Sequence, residues 1–142
     1  MLENRGDDRV PLNWAARLSI IRDIAKGMAF LHQSLPSHKV PHANLKSSNV
    51  LIHRDGQSYH SKLTDYGFLP LLPSRKSSER LAVGRMVVNN DWSTDILDEE
   101  ILDSREGHGE MLKLTEIALQ CTDMAPEKRP GMSEVLGRIE EI

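Results

Sequence analysis

Four polar residues in the first half of the chain, Asn44, Lys46, Asn49 and Asp65, offer two amides, a cation and a carboxylate at close spacing. An asparagine carbonyl and an aspartate carboxylate are hard oxygen donors of the kind Mg2+ accepts. A lysine adds a point charge for phosphate oxygens. Phosphoryl transfer asks the protein for little more: a group that orients the attacking hydroxyl and takes its proton, a metal held by oxygen ligands, and cations near the phosphates. The first three residues lie in His42-Ala43-Asn44-Leu45-Lys46-Ser47-Ser48-Asn49, which runs into the apolar Val50-Leu51-Ile52; Asp65-Tyr66-Gly67 follows, with Asp65 16 positions after Asn49.

The flanking sequence supplies elements to hold such a loop. Residues 1–12 are polar and turn-rich and read as a loop. From Trp14, apolar residues recur at 18, 21, 25 and 28, with Ile24 and Leu31 widening the stripe, which predicts a helix over 13–33 with Asn13 as N-cap. Pro41 then biases Val40 towards extended geometry. Val50–His53 and Ser61–Thr64 read as two strands joined by a turn at Arg54-Asp55-Gly56-Gln57. A hairpin of that size cannot stand alone, so it is expected to pack on the 13–33 helix. The hairpin and the loop before it belong to a segment 39–67, and 68–109 reads as irregular. Two helices are expected in 110–142: Glu110–Cys121, with Met111, Leu114, Ile117, Ala118 and Cys121 on one face, and a second from Met132, N-capped by Gly131, to the end. The fold class expected is mainly α with one small β-hairpin.

Bulk properties narrow the function classes. A length of 142 residues suits one core, and 39% hydrophobic against 27% charged residues is the balance of a globular protein. A net charge of -3 offers no general attraction to nucleic acid or an anionic membrane. No stretch is long and apolar enough to span a bilayer, and no His/Cys cluster has zinc spacing. The single Cys121, set among helical apolar positions, reads as a buried thiol rather than a nucleophile. Cytoplasmic localisation is the expectation.

The ordered motifs resemble those of protein kinases, whose catalytic loop is H-R-D-L-x-x-x-N and whose metal-binding turn is D-F-G. His42, Leu45, Lys46 and Asn49 fall on the loop's histidine, leucine, lysine and metal-binding asparagine, and Asp65-Tyr66-Gly67 on the turn. Leu12-Asn13-Trp14 leading into Ala25-Lys26-Gly27-Met28-Ala29-Phe30-Leu31-His32, and Cys121-Thr122 through Pro126-Glu127-Lys128-Arg129-Pro130, resemble the corresponding parts of plant leucine-rich-repeat receptor-like kinases, many of which are classed as inactive. The resemblance covers the C-terminal lobe of that domain and implies a partial kinase fold. It also marks departures. Asn44 stands where the base aspartate belongs, and no G-x-G-x-x-G strand or V-A-I-K lysine occurs. The A-P-E motif and the helix after it are missing, and Gly84-Arg85 passes straight into Met86-Val87-Val88, as after an internal deletion.

Each candidate has a plainer reading beside the functional one. Asn44 keeps the shape of the base without its carboxylate, forfeiting about 10²–10⁴-fold of general-base help, and is expected to serve as a structural loop amide. Asn49 and Asp65 can hold Mg2+, weakly, or act as ordinary turn residues. Lys46 is a phosphate contact or a solvated loop lysine, and His42 and Tyr66 are expected to pack. Leu51 would floor an adenine ring in a complete kinase and is expected here in the core. Ser74, Ser77 and Ser78, beside Arg75 and Lys76, are candidate phosphoacceptors for another kinase. Arg129, whose family partner is the A-P-E glutamate, is expected to be solvated or re-paired, because a lone buried guanidinium is too costly.

The reading that follows is a kinase-like fragment without phosphotransferase activity, needing no cofactor and binding Mg-ATP weakly at most. It would act through other proteins, an active receptor kinase among them, with the full receptor it resembles at the plasma membrane. The alternative is a serine/threonine kinase that binds ATP and transfers phosphate when its domain is complete. An unrelated small helical interaction domain is a third reading. The 13–33 helix is expected to expose apolar surface and to favour association.

Overall fold

The computed structural model describes residues 10–34, 45–65, 101 and 107–142. The described residues form three α-helices and a two-stranded antiparallel sheet, mainly α in character. The chain divides into two compact units, residues 1–72 and 73–142.

In the first unit, helix α1 spans Trp14–Ser34. Its start is fixed by Asn13: the Ala16 N–H donates to Asn13 Oδ1 at 2.9 Å, satisfying a donor that a helix N-terminus would leave free, and the Arg17 N–H donates to Asn13 O at 3.1 Å as the first intrahelical bond. Arg17 Nε reaches back to Leu12 O at 2.7 Å and ties the incoming chain to the first turn. Strands β1 (Val50–Asp55) and β2 (Ser58–Leu63) pair from Val50 opposite Leu63 to Asp55 opposite Ser58. The hairpin is therefore tighter than its sequence suggests, because Arg54 and Asp55 belong to β1 and only Gly56 and Gln57 turn the chain. Gly56 makes this possible with φ +60°, while Gln57 has no positive φ, the pattern of a II′ connection with glycine first.

The hairpin packs on α1, as its size required, and polar residues of the helix take part in the contact. Contact runs along β2, whose alternate residues Tyr59, Ser61 and Leu63 are half-buried. The side of α1 that meets them carries Ser19, Ile20, Asp23 and Gly27, three and four positions apart. Ser19 Oγ donates to Tyr59 O at 2.8 Å, the Ser61 N–H donates to Asp23 Oδ2 at 2.7 Å, and Ser61 Oγ donates to Ile20 O at 3.1 Å. These bonds cover the backbone edge of β2, which would otherwise present unpaired groups. Gly27 permits the closest approach, since a Cβ there would lie 3.2 Å from Leu63 Cδ1. Of the sequence stripe, Leu18 and Ala25 are buried while Trp14, Ile21 and Met28 are half-buried; Ala16, Ile20 and Ala29 complete the buried set. Phe30, on the same helix, is 68% exposed.

The second unit contains α2 (His108–Cys121) and α3 (Met132–Glu140), which touch each other. Their buried residues are all apolar: Met111 and Ile117 on α2, Val135 and Ile139 on α3, with Ile101 also buried in this unit. Ala118, placed inward by its spacing, is exposed. Between the helices, Pro126–Lys128 makes one 3-10 turn, with proline in a first-turn position where its missing N–H costs nothing. Gly131 precedes α3 and its carbonyl accepts the Val135 N–H at 3.0 Å. At the exposed margin, Arg138 donates to Gln120 Oε1.

Candidate functional site

The open end of the hairpin is where the candidate residues gather. Lys46 is extended and exposed, and the chain then tightens into a 3-10 turn over Ser47–Asn49 before entering β1. The Asn49 N–H donates to Lys46 O at 3.0 Å, and the Val50 N–H donates to Ser47 O. The Asn49 carbonyl accepts twice from Thr64, from its N–H at 3.0 Å and from its Oγ1 at 3.3 Å. Asn49 is only 4% exposed, a depth at which a carboxamide must be hydrogen-bonded. The 3-10 turn and the end of β2 are thus locked together through Asn49 and Thr64.

Asp65 comes next, exposed and with φ +57°. Aspartate is one of the few non-glycine residues that visits this left-handed region, because its short polar side chain can bond locally. Asn49 and Asp65 are therefore brought to the same end of the hairpin, one buried and one open to solvent. An amide carbonyl and a carboxylate are oxygen donors of the kind Mg2+ accepts. No group of three or more His, Cys, Asp or Glu that could hold a metal occurs among the described residues, so the pair does not form a full protein cage.

Leu51 departs from its expected core position. It lies one residue into the sheet on the face shared with Lys62, His53 and His60, and is 60% exposed. Strand alternation is the cause: Val50 and Ile52 pair with Leu63 and Ser61 on the face turned to α1, which leaves Leu51 on the other. Leu45 is also half open, at 51%. Asn44, His42, Tyr66, Ser74, Ser77 and Ser78 lie outside the described residues.

Arg129 and Cys121 belong to the second unit. Arg129 is exposed and donates from Nε to Asp123 O at 2.8 Å, a backbone carbonyl serving in place of a carboxylate. Cys121 is free and half-buried rather than fully buried. Burial pushes its thiol above the ordinary range; Arg138 pulls the other way and Glu134 adds to the rise. A thiol held protonated is a poor nucleophile, so its packing role stands.

Two features of this site are not apparent from the sequence alone. Ser19 and Asp23 position the hairpin, and their only signal is an i, i+4 polar pair on a helix otherwise marked by its apolar stripe. His53 and His60 face each other across the strands, a pairing legible only once the turn is placed at Gly56-Gln57.

Comparison with known proteins gives this geometry its context. A family model for protein tyrosine and serine/threonine kinases matches residues 2–105. The chain is similar to the leucine-rich repeat receptor-like protein kinase PXC1 of Arabidopsis thaliana, 30% identical over 200 residues, with 98% of this chain and 30% of the relative covered. It is similar to pollen receptor-like kinase 6 of the same plant, 29% identical over 189 residues, covering 98% and 28%. A probable inactive receptor kinase of Arabidopsis thaliana is 25% identical over 190 residues, again covering 98% and 28%. The chain spans less than a third of the length of these relatives. Each matched span also exceeds the 142 residues of this chain, so the relatives carry dozens of positions inside it that have no counterpart here. No helix among the described residues is long and apolar enough to cross a membrane.

Proposed function

The chain belongs to the protein tyrosine and serine/threonine kinase family, with plant leucine-rich-repeat receptor-like kinases among its relatives, and from that premise we propose that it is a kinase-like signalling module without phosphotransferase activity. Asn44 carries this reading: at the family's base position it can orient a hydroxyl but has no carboxylate to take the proton. The likeness to a relative named as a probable inactive receptor kinase agrees with it, and the surplus length of the relatives inside the matched span is a second support. The module acts by contact with other proteins, an active receptor kinase among them. In the full-length receptor it works on the cytoplasmic side of the plasma membrane, and Ser74, Ser77 and Ser78 receive phosphate from another kinase.

The second reading is that of a serine/threonine kinase whose chemistry appears in the complete domain. Its support is the other relatives, whose names describe kinases without qualification, together with the Asn49–Asp65 arrangement, which retains an amide and a carboxylate for Mg2+. In that case Lys46 meets phosphate and the exposed Leu51 meets the adenine. Melting the purified chain at rising Mg-ATP tests the nucleotide site on which the second reading depends. The first reading expects little or no shift at millimolar nucleotide; a rise in melting temperature that disappears in Asn49→Ala revives nucleotide binding by this chain.

A further inference from the structure

The face of the hairpin turned away from α1 carries two imidazoles set opposite one another. His53 of β1 and His60 of β2 are direct register partners, and both are exposed. The type of pairing follows from the contacts of β2 with the helix. Tyr59 O and the Ser61 N–H point outward to Ser19 and Asp23, so by alternation the backbone groups of His60 point inward to β1. His53 and His60 therefore form a hydrogen-bonded pair, for which the Cα atoms lie about 5.5 Å apart and both side chains rise from the same face. Neighbours on that face are Leu51 and Lys62 on one side and Asp55 and Ser58 on the other.

We propose that His53 and His60 form a two-histidine site for a transition-metal cation that favours imidazole, such as Zn2+ or Cu2+. Imidazole nitrogen is a ligand for such ions, whereas Mg2+ prefers oxygen. The pairing holds the two rings on one face without ordering any further chain, so the second ring binds the ion as an intramolecular ligand at high effective concentration. No third His, Cys, Asp or Glu completes a cluster among the described residues, so water fills the remaining coordination positions and the site stays open. A bound ion bridges β1 and β2 and ties their register at the centre of the sheet. The site is separate from Asn49 and Asp65 in residues and in ligand chemistry, and it stands whether or not the chain binds nucleotide.

The test is a Zn2+ titration of the full chain by calorimetry at pH 8, with His53→Thr, His60→Thr and, as a control, His108→Thr. Threonine suits an exposed strand position, and circular dichroism establishes that the variants keep their secondary structure. The expected result is one Zn2+ per chain, weakened about tenfold or more by either strand substitution and unchanged by His108→Thr, with Mg2+ failing to compete. A wild-type chain that does not bind Zn2+ overturns the proposal. So does equal binding by the strand variants, or equal binding by the chain unfolded in urea, where the opposed pair no longer exists.

Discussion

Helix α1 meets the hairpin through hydrogen bonds added to apolar packing, whereas at α2 and α3 the buried side chains are apolar and the polar link is exposed. In the first unit, Ser19, Asp23 and Ser61 exchange bonds with the opposing backbone and Gly27 lets Leu63 approach closely. In the second, Met111, Ile117, Val135 and Ile139 are each buried to within a few per cent, and the polar link between Gln120 and Arg138 is exposed. The two solutions do different jobs. Hydrogen bonds are directional and fix register, so Asn49 and Asp65 are delivered to one place. Apolar packing contributes through buried area and is less directional, so volume-conserving swaps are tolerated best. The part of the molecule that carries the candidate chemistry is the one in which directional contacts are added to apolar burial.

The largest effect is expected where burial is the only support. Ile117→Ala or Ile139→Ala should cost about 2–5 kcal/mol, measured by urea denaturation with amide exchange across α2 and α3. Replacing either isoleucine by leucine should cost much less, and equal losses for both substitutions would show that shape as well as volume matters there. Next comes Asp23→Ala, which leaves the Ser61 N–H without its carboxylate. A loss of about 1.5–3 kcal/mol is expected, with faster exchange at the Ser61 amide and partial recovery in Asp23→Asn, which keeps an acceptor.

Glycine substitutions sharpen the contrast with smaller numbers. Gly137 lies in α3 in open space, with nothing within 4 Å of where an alanine Cβ would sit, so Gly137→Ala should stabilise by about 0.5–1 kcal/mol through helix propensity. Gly27→Ala gains the same propensity but presses on Leu63 at 3.2 Å, and its net effect in the same melting assay should fall clearly below that of Gly137→Ala. The smallest effect concerns pH. Because burial holds the Cys121 thiol above its ordinary range, the folded state keeps its proton longer than the unfolded chain. Stability from this source is present below the ordinary thiol value and is lost as pH rises through the folded one. Alkaline melting curves of Cys121→Ala should lack that component.

The sequence is legible where one physical signal dominates. Helical period and an asparagine cap locate α1, whose start at Trp14 and first hydrogen bonds follow from them. Ordered motifs identify the family from the sequence alone, because the loop and turn residues have little freedom in spacing. Legibility ends where two signals compete. The turn reads too wide because Arg54-Asp55-Gly56-Gln57 is polar and Asp55 is a poor strand former; β1 runs on to Asp55 and β2 begins at Ser58 rather than Ser61, with Gly56 at positive φ closing the chain in two residues. Leu51 reads as core because its neighbours are apolar, although alternation puts it on the open face. The part that Ser19 and Asp23 play in docking the hairpin is not legible from a hydrophobic count, because hydrogen bonds to a strand edge depend on a partner about 40 residues away. Burial of Asn49 is likewise set by Thr64, 15 residues on.

The central claim is that this chain does not transfer phosphate. The direct measurement is transfer of radiolabelled γ-phosphate from ATP to a general protein substrate and to the chain itself, with Mg2+ and with Mn2+. The expected result is background incorporation for the wild type, indistinguishable from Asp65→Ala. Incorporation by the wild type that Asp65→Ala abolishes would contradict it.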